Sequence, residues 1–308
     1  MVASLGSGLV GDVDEVLLHD IVEPSAPARA AYKWRGLASD LSALGEAEKL
    51  LAARPQLVFH LAAIVSGEAE ADFDKGYRVN LDGTRRLFEA IRAIGGGYKP
   101  RVVFASSIAV FGAPFPEAIG DEFLCAPLTS YGTQKAIDEL LLADYSRRGF
   151  FDGIGIRLPT ICVRPGKPNR AASGFFSGII REPLAGQEAV LPVTKTVRHW
   201  FASPRAGVGF LLLAARLDTA QLGARRNLTM PGISATVGEQ IEALARVAGD
   251  AAVKRIREEP DPVIQRIVEG WPRNFDARRA TQLGFRADAS FDDIIRAHIE
   301  DELRPRPS

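Results

Sequence analysis

Apolar residues along this chain alternate between short continuous runs and stretches where they recur every three or four positions. Val13 to His19, with Val16, Leu17 and Leu18 at its centre, reads as a strand closed by Asp20. Leu57-Val58-Phe59-His60-Leu61-Ala62-Ala63 reads as a strand and its turn. Arg101-Val102-Val103-Phe104-Ala105 is a short buried strand ending in Ser106-Ser107. Ile154-Gly155-Ile156-Arg157-Leu158 is another, ending in Pro159-Thr160-Ile161. Helical spacing fills the gaps. Leu44, Leu50 and Leu51 mark an amphipathic helix broken by Pro55; Asn80 heads one bearing Leu81, Leu87, Phe88, Ile91 and Ile94, closed by Gly95-Gly96-Gly97; Ala136, Ile137, Leu140 and Leu141 follow Tyr131. Strands and helices alternating at this spacing predict right-handed crossovers, and so an α/β fold with a doubly wound parallel sheet.

The later chain is less regular. Arg164-Pro165-Gly166-Lys167-Pro168-Asn169, then Ala171-Ala172-Ser173-Gly174-Phe175-Phe176, is a polar loop running into a helix that ends near Arg181. Arg198-His199-Trp200 precedes Ser203-Pro204 and an apolar helix through Leu211 to Ala215. Ala235 to Ala248 and Phe291 to Leu303 read as covering helices, and the tail from Arg304 is low in complexity. No internal repeat is visible.

Composition narrows the class. The 308 residues hold 38 basic and 38 acidic side chains, so no nucleic-acid partner is expected. No apolar run approaches the ~18 residues needed to span a bilayer, and the start lacks a signal-peptide pattern, so the expectation is a cytoplasmic protein without membrane contact. Cys125 and Cys162 are too few for a disulfide framework and are read as reduced thiols. His19, His60, His199 and His298 are scattered, which argues against a metal site.

Candidate chemistry gathers around Ser107, Tyr131 and Lys135. Tyr131 and Lys135 stand four residues apart on one helix and project from one face. A phenol with a pKa near ~10 is a poor base at neutral pH, and a neighbouring ammonium favours its phenolate. Ser106-Ser107 closes a strand, the place where open α/β sheets put their ligands. Gly6-Ser7-Gly8-Leu9-Val10-Gly11 formally satisfies G-x-G-x-x-G, but a strand rather than a helix follows it, so the segment reads as a loop without a phosphate-binding role.

Ser106-Ser107-Ile108-Ala109-Val110-Phe111-Gly112 together with Tyr131-Gly132-Thr133-Gln134-Lys135 resembles the extended short-chain dehydrogenase/reductase family, the NAD-dependent epimerases and dehydratases. The resemblance covers nearly the whole chain. It implies a Rossmann-type NAD-binding domain over residues 1–160, with 200–217 returning to it, and a smaller, mainly substrate-binding region over 161–308. It implies that Tyr131 takes the hydroxyl proton, Ser107 holds the reacting oxygen, and Lys135 tunes Tyr131 and binds the nicotinamide ribose; Ser106 is a secondary candidate.

The implied cofactor is NAD. Asp20 would accept from the adenosine ribose, Asp40 and Leu41 would meet the adenine, and Leu61, Ala62 and Ala63 would form a flanking turn. Asn80 would support the site, with Pro159 and Ile161 passing the nicotinamide. The implied reaction is oxidation of a four-carbon sugar acid at C2, its carboxylate held by Arg164 or Arg198. A homo-oligomer is compatible with all of this.

Family members carry a first strand and a Gly-x-x-Gly-x-x-Gly turn some twenty residues before Asp20. This sequence has no such unit, which implies a start assigned too late or a truncated product, with weak cofactor binding and exposed apolar surface. Two other readings stay open: a nucleotide-sugar epimerase or dehydratase using the same three residues, and a binding-impaired product acting only as an interaction partner.

Overall fold

The computed structural model describes residues 1–5, 8, 10–27, 30–166 and 173–303. A short helix, α1 (Val2–Leu5), precedes strands β1 (Glu15–Asp20) and β2 (Lys33–Ala38), which pair in parallel with Asp20 opposite Ala38. The hydrophobic pattern gives no sign of β2. Lys33, Trp34 and Arg35 are exposed, so no apolar run marks it, and the ladder with β1 makes it a strand. Of the glycine-rich loop, Gly6, Ser7 and Leu9 lie outside the described residues, as do Ala28, Arg29, residues 167–172 and the tail from Arg304. Gly8 and Gly11 both have positive φ, and no helix intervenes before β1.

Next come α2 (Glu46–Leu51), β3 (Leu57–His60), α3 (Ser66–Ala71), α4 (Phe73–Gly76), a π-helical turn (Tyr77–Asp82) and α5 (Gly83–Ile94). β4 (Arg101–Ser107), a 3-10 turn (Ile108–Val110), α6 (Ser130–Arg147) and β5 (Asp152–Leu158) follow. Two expectations change here. Leu44 lies outside α2 and is 88% exposed, because Gly45 takes a left-handed φ of 82° and the helix starts only at Glu46. Asn80 heads no helix: it sits inside a continuous helical run, fully buried.

The remaining elements are β6 (Thr160–Ile161), α7 (Gly174–Leu184), β7 (Ala189–Leu191), β8 (Arg198–Ala202), α8 (Pro204–Arg216), β9 (Asn227–Thr229), β10 (Ile233–Thr236), α9 (Val237–Ala248), α10 (Asp250–Val253), β11 (Ile256–Glu258), α11 (Pro262–Glu269), α12 (Arg278–Gln282) and α13 (Phe291–His298). Ala235 therefore belongs to a strand. α9 begins at Val237, after a capping box in which Thr236 and Glu239 satisfy each other's backbone amides.

β3, β4, β5 and β9 form a parallel sheet in that order. Its centre is buried from both sides, which explains the unbroken apolar run of β4. Val102 and Phe104 pack with Leu87, Phe88 and Ile91 of α5 and Leu142 of α6; Val103 packs with Ile154 and Ile156 of β5 and Phe210, Leu211 and Ala214 of α8. A second core joins Phe176, Ile179 and Ile180 of α7 to Phe201, Leu244 and Ile295, around the sheet β10-β8-β6. β1 and β2 form a separate ladder. The apolar surface expected near the N-terminus is partly covered, since Leu5, Tyr32 and Leu212 cluster with Val2, Val16 and Phe59, while Ile21 and Val22 stay about 70% exposed. Among the described residues no helix is long and apolar enough to cross a membrane.

Candidate active site

α6 begins where Thr129 accepts a hydrogen bond from the Gly132 amide at 3.1 Å, an ordinary N-cap. Gly132 lies flush against the 3-10 turn after β4. A Cβ there would stand 2.2 Å from the Ala109 carbonyl oxygen, so only glycine lets the helix start this close to the strand end. Tyr131 is thereby brought beside Ser107, whose Oγ accepts from the Ala109 amide at 3.1 Å.

One turn deeper, Lys135 is 2% exposed. Its Nζ donates to the Ala105 carbonyl at 3.0 Å, stands 4.6 Å from the Phe104 ring centroid and 5.9 Å from that of Tyr131. Burial pushes the Tyr131 phenol up to about 12; the nearby Ser107 side chain pulls the other way and the Asp138 carboxyl adds to the rise. The sequence led to the opposite direction through Lys135. The difference is geometric: the ammonium is spent on a backbone carbonyl and two aromatic faces, and burial has the larger effect on the phenol.

Ser106 points away from this group, as the two-residue period of a strand requires. Its Oγ donates to Glu139 at 2.6 Å, and Glu139 is gripped by Arg157 through Nε at 2.9 Å and Nη2 at 2.7 Å. Asn80 is bound on three sides, accepting from the Ile64 amide at 2.9 Å and donating to the Ile64 carbonyl and to Gln134 Oε1 at 2.7 Å. It thus locks the chain after β3 to α6. His60 is a buried neutral imidazole, 2.8 Å from Thr84 Oγ1.

Asp20 ends β1 exposed, with only Oδ1 engaged by the Val22 amide. Asp40 is tied to Ser42 through both amide and hydroxyl, which holds it below the usual carboxylate range, and Leu41 is packed in the core with Leu51 and Leu87. Leu61 and Ala62 are exposed just past β3, and Ala63 is half-buried. Leu158 pairs with Ser107 across the ladder, so Pro159 follows at the same edge; Ile161 continues into β6. The C-terminal ends of β1, β3, β4 and β5 thus carry Asp20, Leu61 to Ala63, Ser107 and Pro159. A carboxylate oxygen left for hydroxyls and small exposed residues beside a strand end fit a dinucleotide.

The two predicted arginines are used differently. Arg164 donates to Ser173 at 3.0 Å, its amide donates to Ser177, and burial lowers its pKa. Arg198 donates to the Ser234 carbonyl at 3.1 Å, pairs with Glu239 at 3.2 Å, and faces a cavity of about 570 Å3 lined also by Phe115, Glu117, Arg273 and Asn274. Arg164 does not line that cavity. Arg273 carries no periodicity or motif that would have singled it out; only the fold sets it opposite Arg198.

The NAD dependent epimerase/dehydratase family is matched over residues 13–217. A D-erythronate dehydrogenase of Cupriavidus necator is 49% identical over 289 residues, 94% of this chain and 88% of that protein. A D-erythronate dehydrogenase of Haemophilus influenzae is 42% identical, with coverage of 94% and 91%. A solved structure described as a nucleoside-diphosphate-sugar epimerase from Agrobacterium tumefaciens is 65% identical, with a TM-score of 0.94 over 98% of this chain and 91% of that one.

Proposed function

Because the chain belongs to the NAD dependent epimerase/dehydratase family, NAD is its cofactor and a dehydrogenase its enzyme class, and we propose that it oxidises D-erythronate at C2 to the 2-keto acid. The observation carrying this reading is the meeting of Ser107 and Tyr131 at the end of β4 with Lys135 directly beneath, in a chain so similar to enzymes of that name.

Bound NAD supplies the hydride-accepting ring. Asp20, Leu61 to Ala63 and Pro159 would hold and flank it from the strand ends, Asp40 and Leu41 would bound the adenine side, and Asn80 would support that wall from behind by tying Ile64 to Gln134. Ser107 donates to the substrate oxygen, and Tyr131 receives the hydroxyl proton at its phenolic oxygen. Lys135, fixed by the Ala105 carbonyl, offers a positive field under the phenol while it keeps its proton, which burial loosens. Arg164 and Arg198 both stay candidate carboxylate ligands: Arg164 is engaged by Ser173 and Arg198 by Ser234 and Glu239, and the cavity that Arg198 shares with Arg273 is lined by neither Ser107 nor Tyr131.

A phenol near 12 is rarely ionised at neutral pH, so alcohol oxidation should accelerate as pH rises from neutral to alkaline. The test is NADH absorbance with D-erythronate and NAD across that range. The expected outcome is NADH that rises with pH and falls by roughly 10²-fold or more in Tyr131→Phe.

A second reading is favoured by the name of the Agrobacterium relative, 65% identical over 98% of this chain: interconversion of a nucleoside-diphosphate sugar. That activity leaves no net NADH. Product formation from such a sugar without NADH, and none from D-erythronate, would overturn the dehydrogenase reading.

A further inference from the structure

Asp138 plays no part in the chemistry above, yet it lies on the same helix face as the residues that do. It follows Tyr131 by seven positions and Lys135 by three, is 0% exposed, and its Oδ1 has no hydrogen-bond partner among the described residues. Oδ2 lies 3.4 Å from Thr84 Oγ1. That hydroxyl is already crowded, 2.5 Å from the Asn80 carbonyl and 2.8 Å from His60 Nε2.

Thr84 has one hydrogen to give. The short contact to Asn80 takes it, so His60 donates to Thr84 through Nε2–H, and the Asp138 contact is a hydrogen bond only when the carboxyl carries the proton. The geometry therefore fits a protonated acid buried beside an ammonium. Burial acts in the same sense on both, raising Asp138 and lowering Lys135.

We propose that Asp138 is a positioning residue whose charge governs how much of the Lys135 field reaches the Tyr131 phenol. With the proton on Asp138, the Lys135 charge is unopposed and favours phenolate. When the proton leaves, the carboxylate offsets Lys135 and holds the proton on Tyr131. The groups that face Asp138 are few. Lys135 and Glu139 come from its own helix, Glu139 being neutralised by Arg157 of β5. His60 of β3 stands behind Thr84 of α5 and is neutral. Of the charged side chains of α3, α4 and α5, Glu68 pairs with Lys75 and Glu89 with Arg92, Glu70 accepts from the Ser130 amide, Asp74 and Arg85 are exposed, and Arg86 acts on Asp40. Among the described residues no other carboxylate meets Thr84.

The proposal rests on the dehydrogenase reading only in taking Tyr131 as the base, and its test needs no substrate. Full-length protein carrying 13C-labelled tyrosine is titrated by NMR, the Tyr131 signal being identified by its loss in Tyr131→Phe. Asp138→Asn keeps the shape and removes the charge, and should bring the onset of Tyr131 ionisation down by on the order of one pH unit. Asp138→Leu should do the same, and serves if the Asn variant folds poorly. An onset unchanged in a variant whose circular dichroism and Tm match the wild type overturns the proposal. A structural role alone would lower Tm and leave the onset where it was. If the onset shifts while D-erythronate oxidation above about pH 8, where the wild-type carboxyl has lost its proton, does not gain several-fold, Asp138 keeps its role and Tyr131 loses its own as base.

Discussion

Two adjacent serines at the end of β4 have opposite partners: Ser107 faces Tyr131, and Ser106 is sealed behind the sheet against Glu139 and Arg157. Ser107→Ala should cut D-erythronate oxidation by ~10 to 10²-fold with only a modest fall in Tm, because it removes a donor to the reacting oxygen and, within the fold, one half-buried cap on the Ala109 amide. Ser106→Ala should do the reverse. It removes one buried hydrogen bond of Glu139, about 1 to 2 kcal/mol of stability, and leaves the rate nearly intact. Thermal melts beside turnover assays separate the two. The sequence pointed to Ser107 through the resemblance of Ser106-Ser107-Ile108-Ala109-Val110-Phe111-Gly112 to the family's motif, in which Ser106 stands one residue too early. It gave no hint that Thr84, Gln134 and Asp138 would form a buried polar layer, since a polar residue on a helix is ordinarily solvated and only the packing of α5 on α6 removes the water.

At the level of elements, the site depends on how closely α6 approaches the turn after β4. Gly132→Ala is informative because helix propensity alone would favour alanine by roughly 1 kcal/mol. The contact at 2.2 Å to a backbone oxygen reverses that sign. Overpacking of this kind costs about 1 to 3 kcal/mol, and relief must come from moving the first turn of α6, which carries Tyr131. Activity should fall by a larger factor than the Tm shift alone explains, and paired melts and rates check it. β3, β4 and β5 were legible because each is an apolar run at strand length, whereas α6 was placed by residues that are not its core face: Leu140 is 72% exposed, and the helix buries Gln134, Lys135, Asp138, Glu139 and Leu142 instead. β2 was not, because its first three residues face solvent, and α9 was entered two residues early because Ala235 fits strand and helix alike. Arg198-His199-Trp200 likewise becomes a strand only through its antiparallel ladder with β10.

Across the whole molecule, buried imidazoles tie stability to pH, His60 and His199 most strongly and His298, also lowered by burial, in the same sense. His60 is held neutral by burial, down to about 3, and His199, hydrogen-bonded between Thr160 and the Pro272 carbonyl, to about 4. Unfolded imidazoles bind protons from 6.5 downward, so the unfolded chain takes up protons that the folded one refuses. Stability is therefore full above 6.5 and declines as pH falls towards the folded values, by roughly 1.4 kcal/mol per unit for each group. Urea unfolding at pH 7 and pH 5 should reveal this loss, and His199→Gln should flatten it. The sequence by itself determined the parallel α/β architecture and the Ser107, Tyr131 and Lys135 group, because local periodicity and spacing along one helix need no distant partner. Only the tertiary structure decided that Ser106 is sealed against Glu139 and Arg157, that Asp138 is buried on the face that carries Tyr131 and Lys135, and that Arg273 joins Arg198. Those facts depend on residues far apart in the chain, and on how much water their packing excludes.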